Sequence, residues 1–92
     1  MTGAPIINSV DKALQALQRL GEVGGKGMTL NRLAIDLGLN KSSLHHTLSV
    51  LCYRGFAEQD SSGNYKLGKA ALALADSFIS IRSNQGEGRD EK

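Results

Sequence analysis

Tryptophan is absent from the 92 residues, and the two tyrosines and two phenylalanines make up only 4% of the chain. A core with so little aromatic bulk must be built from Leu, Ala, Ile and Val, which suits packed helices. A single cysteine, Cys52, excludes an internal disulfide and a multi-thiolate zinc site, and it fits a reducing compartment. No apolar run approaches the roughly 20 residues that a membrane-spanning helix needs. The opening MTGAPIINSVDK also lacks the charged and then long hydrophobic stretches of a secretory leader. A soluble cytoplasmic protein is expected. At this length, with 40% hydrophobic content, one small domain can form, but little room is left for a catalytic cleft beside its core. The chain is therefore not expected to be an enzyme or to hold a cofactor.

What is present is distributed unevenly. The formal charge is only +2, yet Lys26, Arg32, Lys41, Arg54, Lys66 and Lys69 face only Asp36, Glu58 and Asp60 within the middle of the chain, a local excess of +3. The tail after Arg82 is slightly acidic, so the basic middle is where a polyanion would be met.

Periodicity and punctuation give an order of elements. Pro5, Ile6 and Ile7 form a short arm over residues 1–7. Asn8 or Ser9 can cap a helix whose Val10, Ala13, Leu14, Leu17 and Leu20 recur at three and four. Gly24, Gly25 and Gly27 break it, Met28 can make a short strand, and Thr29 is placed to cap a second helix from Leu30 to Leu37. Gly38 ends that helix, and Asn40 can cap a third from Lys41 to about Arg54, closed by Gly55. FAEQ and YKL flank the turn-rich DSSGN as a β-hairpin. A last helix covers 69–82, and the polar SNQGEGRDEK is expected to be disordered over 83–92.

Two short helices joined at Gly38 must cross steeply, and Ala34, four residues earlier, keeps the crossing close while Leu33, Leu37, Leu39 and Leu44 fill the angle. A small residue, a glycine four later and an aliphatic residue six beyond that form the pattern of a helix-turn-helix, whose second helix is held out to enter the DNA major groove. The hairpin makes it a winged version, so the fold class is mainly α with a small β-hairpin. At about 100° per residue, Leu44, Leu48 and Leu51 gather on one side of the third helix, while Ser42, His46, Ser49 and Tyr53 lie opposite. No acidic residue occurs between Asn40 and Gly55, as a polyanion-facing surface requires.

Several of these pieces match a known family in combination: SVDKAL in the first helix, Leu33-Ala34 with Leu37-Gly38-Leu39, Lys41-Ser42-Ser43-Leu44-His45, Arg54-Gly55-Phe56, and Tyr65-Lys66-Leu67-Gly68. Over residues 8–82 the chain resembles the N-terminal DNA-binding domain of IclR-type transcriptional regulators. The resemblance implies a dimeric winged helix-turn-helix regulator with its second and third helices and its wing at DNA. Two positions depart from the family's habit: Asn40 stands where Pro is common, and His46 where Arg is common. Such regulators usually continue into a larger effector-binding domain, which this chain does not encode, so it reads as a DNA-binding fragment or a short stand-alone regulator.

The expected DNA contacts are Arg32, Lys41 and Lys66 on phosphates, Ser42, Ser43, His45 and His46 at base edges, and Thr29, Ser49, Ser62 and Asn64 beside them. The adjacent His45 and His46 point about 100° apart with no third ligand in view, so neither a metal site nor catalysis is expected. Cys52 reads as a small buried hydrophobe, and Tyr53 as cover for the helix flank. In the last helix Leu72, Ala75 and Ile79 fall on one side and Leu74, Phe78 and Ile81 on the other. A domain this small covers one face, and the second is expected to join a homodimer on a roughly palindromic operator. The alternatives are a winged-helix protein–protein interaction module and an RNA-binding accessory domain.

Overall fold

The computed structural model describes residues 8–91, with side chains over 8–82. The expected arm over 1–7 lies outside the described residues. The first helix, α1, spans Asn8–Val23, so Asn8 and Ser9 are already helical and the cap falls outside the described residues. A 3-10 turn over Gly24–Lys26 leads to α2 (Leu30–Leu37) and α3 (Lys41–Tyr53). Strands β1 (Ala57–Gln59) and β2 (Tyr65–Leu67) pair antiparallel with Glu58 opposite Lys66. Met28 adds a single antiparallel bridge to Tyr65, which is all that remains of the short strand expected there. Helix α4 (Lys69–Glu91) closes the order and runs past the Arg82 end expected for it, into the stretch expected to be disordered.

Both ends of the helix-turn-helix are set by backbone geometry. Gly38 takes a left-handed conformation (φ 66°, ψ 35°); its amide donates to the Ile35 carbonyl at 3.2 Å and the Leu39 amide to Ala34 at 3.0 Å. Gly55 (φ 83°) repeats the arrangement after α3, with its own amide on Cys52 and that of Phe56 on Leu51. These are two Schellman closures, in which a residue without Cβ lets the chain turn while the last carbonyls stay bonded. The starts are capped by side chains: Thr29 Oγ1 accepts from the Arg32 amide at 3.1 Å, and Asn40 Oδ1 from the Ser43 amide at 3.0 Å.

The core joins Ala16 and Leu20 of α1 to Met28, to Leu33 and Ala34 of α2, to Leu44, Leu48 and Leu51 of α3, and to Ala57 and Tyr65 of the hairpin. Ala13, Leu17, Leu37, Leu39 and Cys52 pack partly buried against it. The buried stripe of α1 is rotated from the one expected: Ala16 is inside, whereas Val10 and Leu14 are exposed. The physical reason is packing: the sector shared by Ala13, Ala16, Leu17 and Leu20 meets the neighbouring elements, and Leu14 falls about 110° from its centre. An ion-pair network ties α1 to α2. Asp36 accepts from Arg19 on Oδ2 at 3.0 Å and from Arg32 on Oδ1 at 3.1 Å, and Arg19 also reaches Glu22. Those two carboxylates, Glu22 foremost, hold the Arg19 guanidinium above its ordinary value, so it stays charged.

Helix α4 departs from expectation in its packing. Leu72, Leu74, Phe78, Ile79 and Ile81 are all exposed, at 53% to 61%, so neither apolar face is covered by the domain. The cause is where the helix is attached. Its first turn docks through the Ala70 amide on the Gly55 carbonyl at 2.9 Å and rests on β1, after which the helix leaves the domain.

Candidate nucleic-acid interface

Helix α3 is held by its leucines and therefore presents the opposite side outward. Leu44, Leu48 and Leu51 are buried against α1 and α2; Ser42, His45, His46 and Ser49 are exposed along the other side, and Lys41 is exposed at the start of the helix. The two imidazoles stand edge to face with ring centroids 6.1 Å apart. Among the described residues, no group of three His, Cys, Asp or Glu side chains could hold a metal ion. Ser49 donates its hydroxyl hydrogen to the His45 carbonyl at 2.9 Å, which leaves the oxygen to accept. The exposed face thus offers an ammonium, two hydroxyls and two imidazoles without a carboxylate.

Ser43 stands apart from that group. It is half-buried and turned toward α1, where its Oγ accepts from Lys12 Nζ at 3.0 Å, and its carbonyl accepts from Thr47. Arg32 and Thr29 sit at the start of α2, both exposed; Thr29 serves as the helix cap and Arg32 is oriented through its Nε by Asp36. The wing supplies Ser62, Asn64 and Lys66 on a separate element. Its tip is knitted around Asp60, whose Oδ1 accepts from the Ser62 and Asn64 amides at 2.9 and 3.0 Å. Asn64 also donates Nδ2 to the Lys26 carbonyl at 3.4 Å, and Lys66 is half-buried across from Glu58. Of the three, only Ser62 is exposed; the other two are half-buried.

Two residues near this surface differ from what the sequence predicts, Tyr53 in its role although its side of α3 is the expected one. Tyr53 does not cover a flank: it is 81% exposed at the end of α3, with the Arg54 guanidinium 5.2 Å from its ring centre. Its position on the Ser42, His46, Ser49 side was visible from helical spacing, and its exposure is that same signal taken at face value. Lys12 is the other, and nothing in local sequence links it to a residue 31 positions away. Cys52 is half-buried, and burial, with Glu58 nearby, pushes its thiol up from the ordinary value, which leaves it protonated and a poor nucleophile at neutral pH.

A helix pair closed at Gly38, an outward acid-free second helix and a two-stranded hairpin together define a winged helix-turn-helix DNA-binding domain. The chain matches the IclR helix-turn-helix domain over residues 9–61. It is 38% identical over 76 residues to the glycerol operon regulatory protein of Streptomyces griseus, a match covering 82% of this chain and 30% of that protein. It is 37% identical over 65 residues to the HTH-type transcriptional regulator XynR of Escherichia coli (strain K12), covering 70% and 25%. Among solved structures, HmgR of Pseudomonas aeruginosa superposes with a TM-score of 0.71 at 33% identity, covering 77% of this chain and 29% of that one. An IclR transcriptional regulator from Alicyclobacillus acidocaldarius gives 0.72 at 30% identity, covering 76% and 28%. The chain belongs to the IclR family and corresponds to its transcriptional regulators' DNA-binding domain. It spans less than a third of the relatives it matches. No helix among the described residues is long and apolar enough to cross a membrane.

Proposed function

We propose that this chain occupies a roughly palindromic DNA operator as a homodimer and so regulates transcription from it, with α3 in the major groove. The observation that carries this reading is the exposed face of Lys41, Ser42, His45, His46 and Ser49 on a helix without acidic residues. Ser42, His45 and His46 are assigned to base edges, with Ser49 and Thr29 beside them. Lys41 and Arg32 take phosphates. Ser43, with its oxygen occupied by Lys12, keeps a hydroxyl hydrogen for a phosphate oxygen rather than a base. The wing, through Ser62, Asn64 and Lys66, touches the flanking backbone.

The dimer is assigned to α4 through Leu74, Phe78 and Ile81. Three exposed large apolar side chains on one helical face favour a partner surface, and a two-fold pair would set half-sites about one or two helical turns apart. The opposite side, with Leu72 and Ile79, is equally exposed and is available to a further domain of the longer regulators.

Selection of bound sites from random duplex DNA, followed by titration of the selected site at several salt concentrations, tests the reading. A recurrent, two-fold related motif with affinity falling steeply in salt is expected, because phosphate contacts release counterions. No enrichment, together with salt-insensitive capture of a protein ligand, would make the domain a protein-interaction module instead. Replacing Leu74 by Lys and Ile81 by Glu is expected to give a folded monomer with much weaker operator binding; sedimentation showing that this variant still dimerises rules out α4 as the interface.

A further inference from the structure

Lys12 is half-buried on α1, and its ammonium donates to Ser43 Oγ, 3.0 Å away in the first turn of α3. Ammonium groups are unfavourable there. The N-terminus of a helix carries roughly half a positive charge, so a cation held against it meets repulsion rather than stabilisation. No anion offsets the contact among the described residues. The ion pairs formed are those of Arg19 with Glu22 and Asp36, and of Arg32 with Asp36. Asp11, next to Lys12 in the chain, accepts instead from Gln15 at 2.7 Å. An ammonium has three hydrogens, and Ser43 takes one of them. The tether thus keeps a cation at a fixed place, with hydrogens to spare, beside the hydroxyl hydrogen of Ser43 in the first turn of α3.

We propose that Lys12 is a DNA-backbone contact made from outside the helix-turn-helix: it grips a phosphate at the N-terminal end of α3 and, through Ser43, sets how that end enters the groove. A phosphate bridging Lys12 and Ser43 would remove the repulsion that the unbound domain carries. The inference rests on the DNA-binding reading above and adds a positioning residue to it.

Lys12→Gln and Lys12→Arg in the full chain, titrated with the selected site and with random-sequence duplex DNA across a salt series, test the inference. One lost phosphate contact lowers the slope of log affinity against log salt by about 0.9. The wild-type advantage over Lys12→Gln should therefore be about 3.5-fold larger at 50 mM than at 200 mM salt, a ratio that follows from that slope. The loss should be similar on both DNAs, and Lys12→Arg should keep the wild-type slope. An unchanged slope in Lys12→Gln with weakened binding would reduce Lys12 to a structural support of Ser43, and unchanged binding would remove it from the interface altogether. Should Lys12→Gln fail to fold by circular dichroism, the charge-keeping Lys12→Arg decides, because loss of the wild-type slope there overturns the proposal. A wild-type chain with no salt slope at all would instead sink the DNA-binding reading itself, so the two failures are distinguishable.

Discussion

Replacing residues on the two sides of α3 should separate folding from binding. Leu48 is fully buried between α1, α2 and the hairpin, and His46, two positions away, is exposed. Leu48→Ala removes a buried isobutyl group and leaves a cavity, at about 2 to 5 kcal/mol. A 92-residue domain has roughly 5 to 14 kcal/mol of stability in total, at about 0.05 to 0.15 per residue. The change therefore takes a large share of the whole. With about 4 to 8 °C of midpoint per kcal/mol in a domain of this size, Tm should fall by at least about 8 °C. His46 and Ser42 are exposed and outside the buried cluster, so His46→Ala and Ser42→Ala should stay within about 0.5 kcal/mol, or about 4 °C. Their cost appears at DNA instead, about 1 to 3 kcal/mol for each lost base contact, which is about 5- to 150-fold in affinity for the selected site. Thermal melts by circular dichroism and mobility-shift titrations of all three variants measure both quantities. If His46→Ala unfolds the domain, or leaves specific affinity unchanged in a folded protein, His46 is not on the reading surface and the orientation assigned to α3 is wrong.

Gly38→Ala should destabilise by about 1 to 2 kcal/mol through backbone conformation alone, since a left-handed residue with a Cβ carries that penalty and nothing lies within 4 Å of the added carbon; a neutral result in chemical denaturation contradicts the left-handed closure. Burial raises both the Cys52 thiol and the Tyr65 phenol, the thiol with help from Glu58 and the phenol from Cys52. Both are neutral acids in the folded state, so their contribution is fully present below the unfolded values and is lost as pH rises through the folded ones. Urea midpoints should hold from neutral pH to about 8 and fall above it, with Cys52 alkylation slow at pH 7 and still accelerating above about 8.5. A thiol that reacts fully at pH 7 in the folded protein contradicts its placement. Asp36→Asn should loosen α1 from α2 by releasing Arg19, with a loss of stability larger than that of the exposed Glu22→Gln; equal effects would show that the half-buried end of the network carries nothing.

Some of this protein could be read directly from the chain because the determining interactions are local. Gly38 and Gly55 end helices through bonds reaching back only a few residues, and Thr29 and Asn40 cap by bonding amides three positions on, so the bounds of α2 and the start of α3 follow from residue type and spacing. The leucine stripe of α3 did the same for orientation: once Leu44, Leu48 and Leu51 turn inward, Ser42, His46 and Ser49 must face out, while Lys41 is exposed as the first residue of the helix. What spacing could not supply was everything that depends on which neighbour arrives. The apolar residues of α1 span more of the helix than one groove covers, and only packing against α2 and α3 chose Ala16 and Leu20 over Val10 and Leu14. Helix α4 has two apolar faces and docks by its first turn, so its partners are decided by other surfaces rather than by its own periodicity. Lys12 and Ser43 meet across 31 residues, a contact that exists because α1 and α3 pack together. Caps and turns involve a handful of adjacent residues and survive in any context, whereas a side chain's burial or partner is a property of the assembled surface, which short-range spacing does not contain.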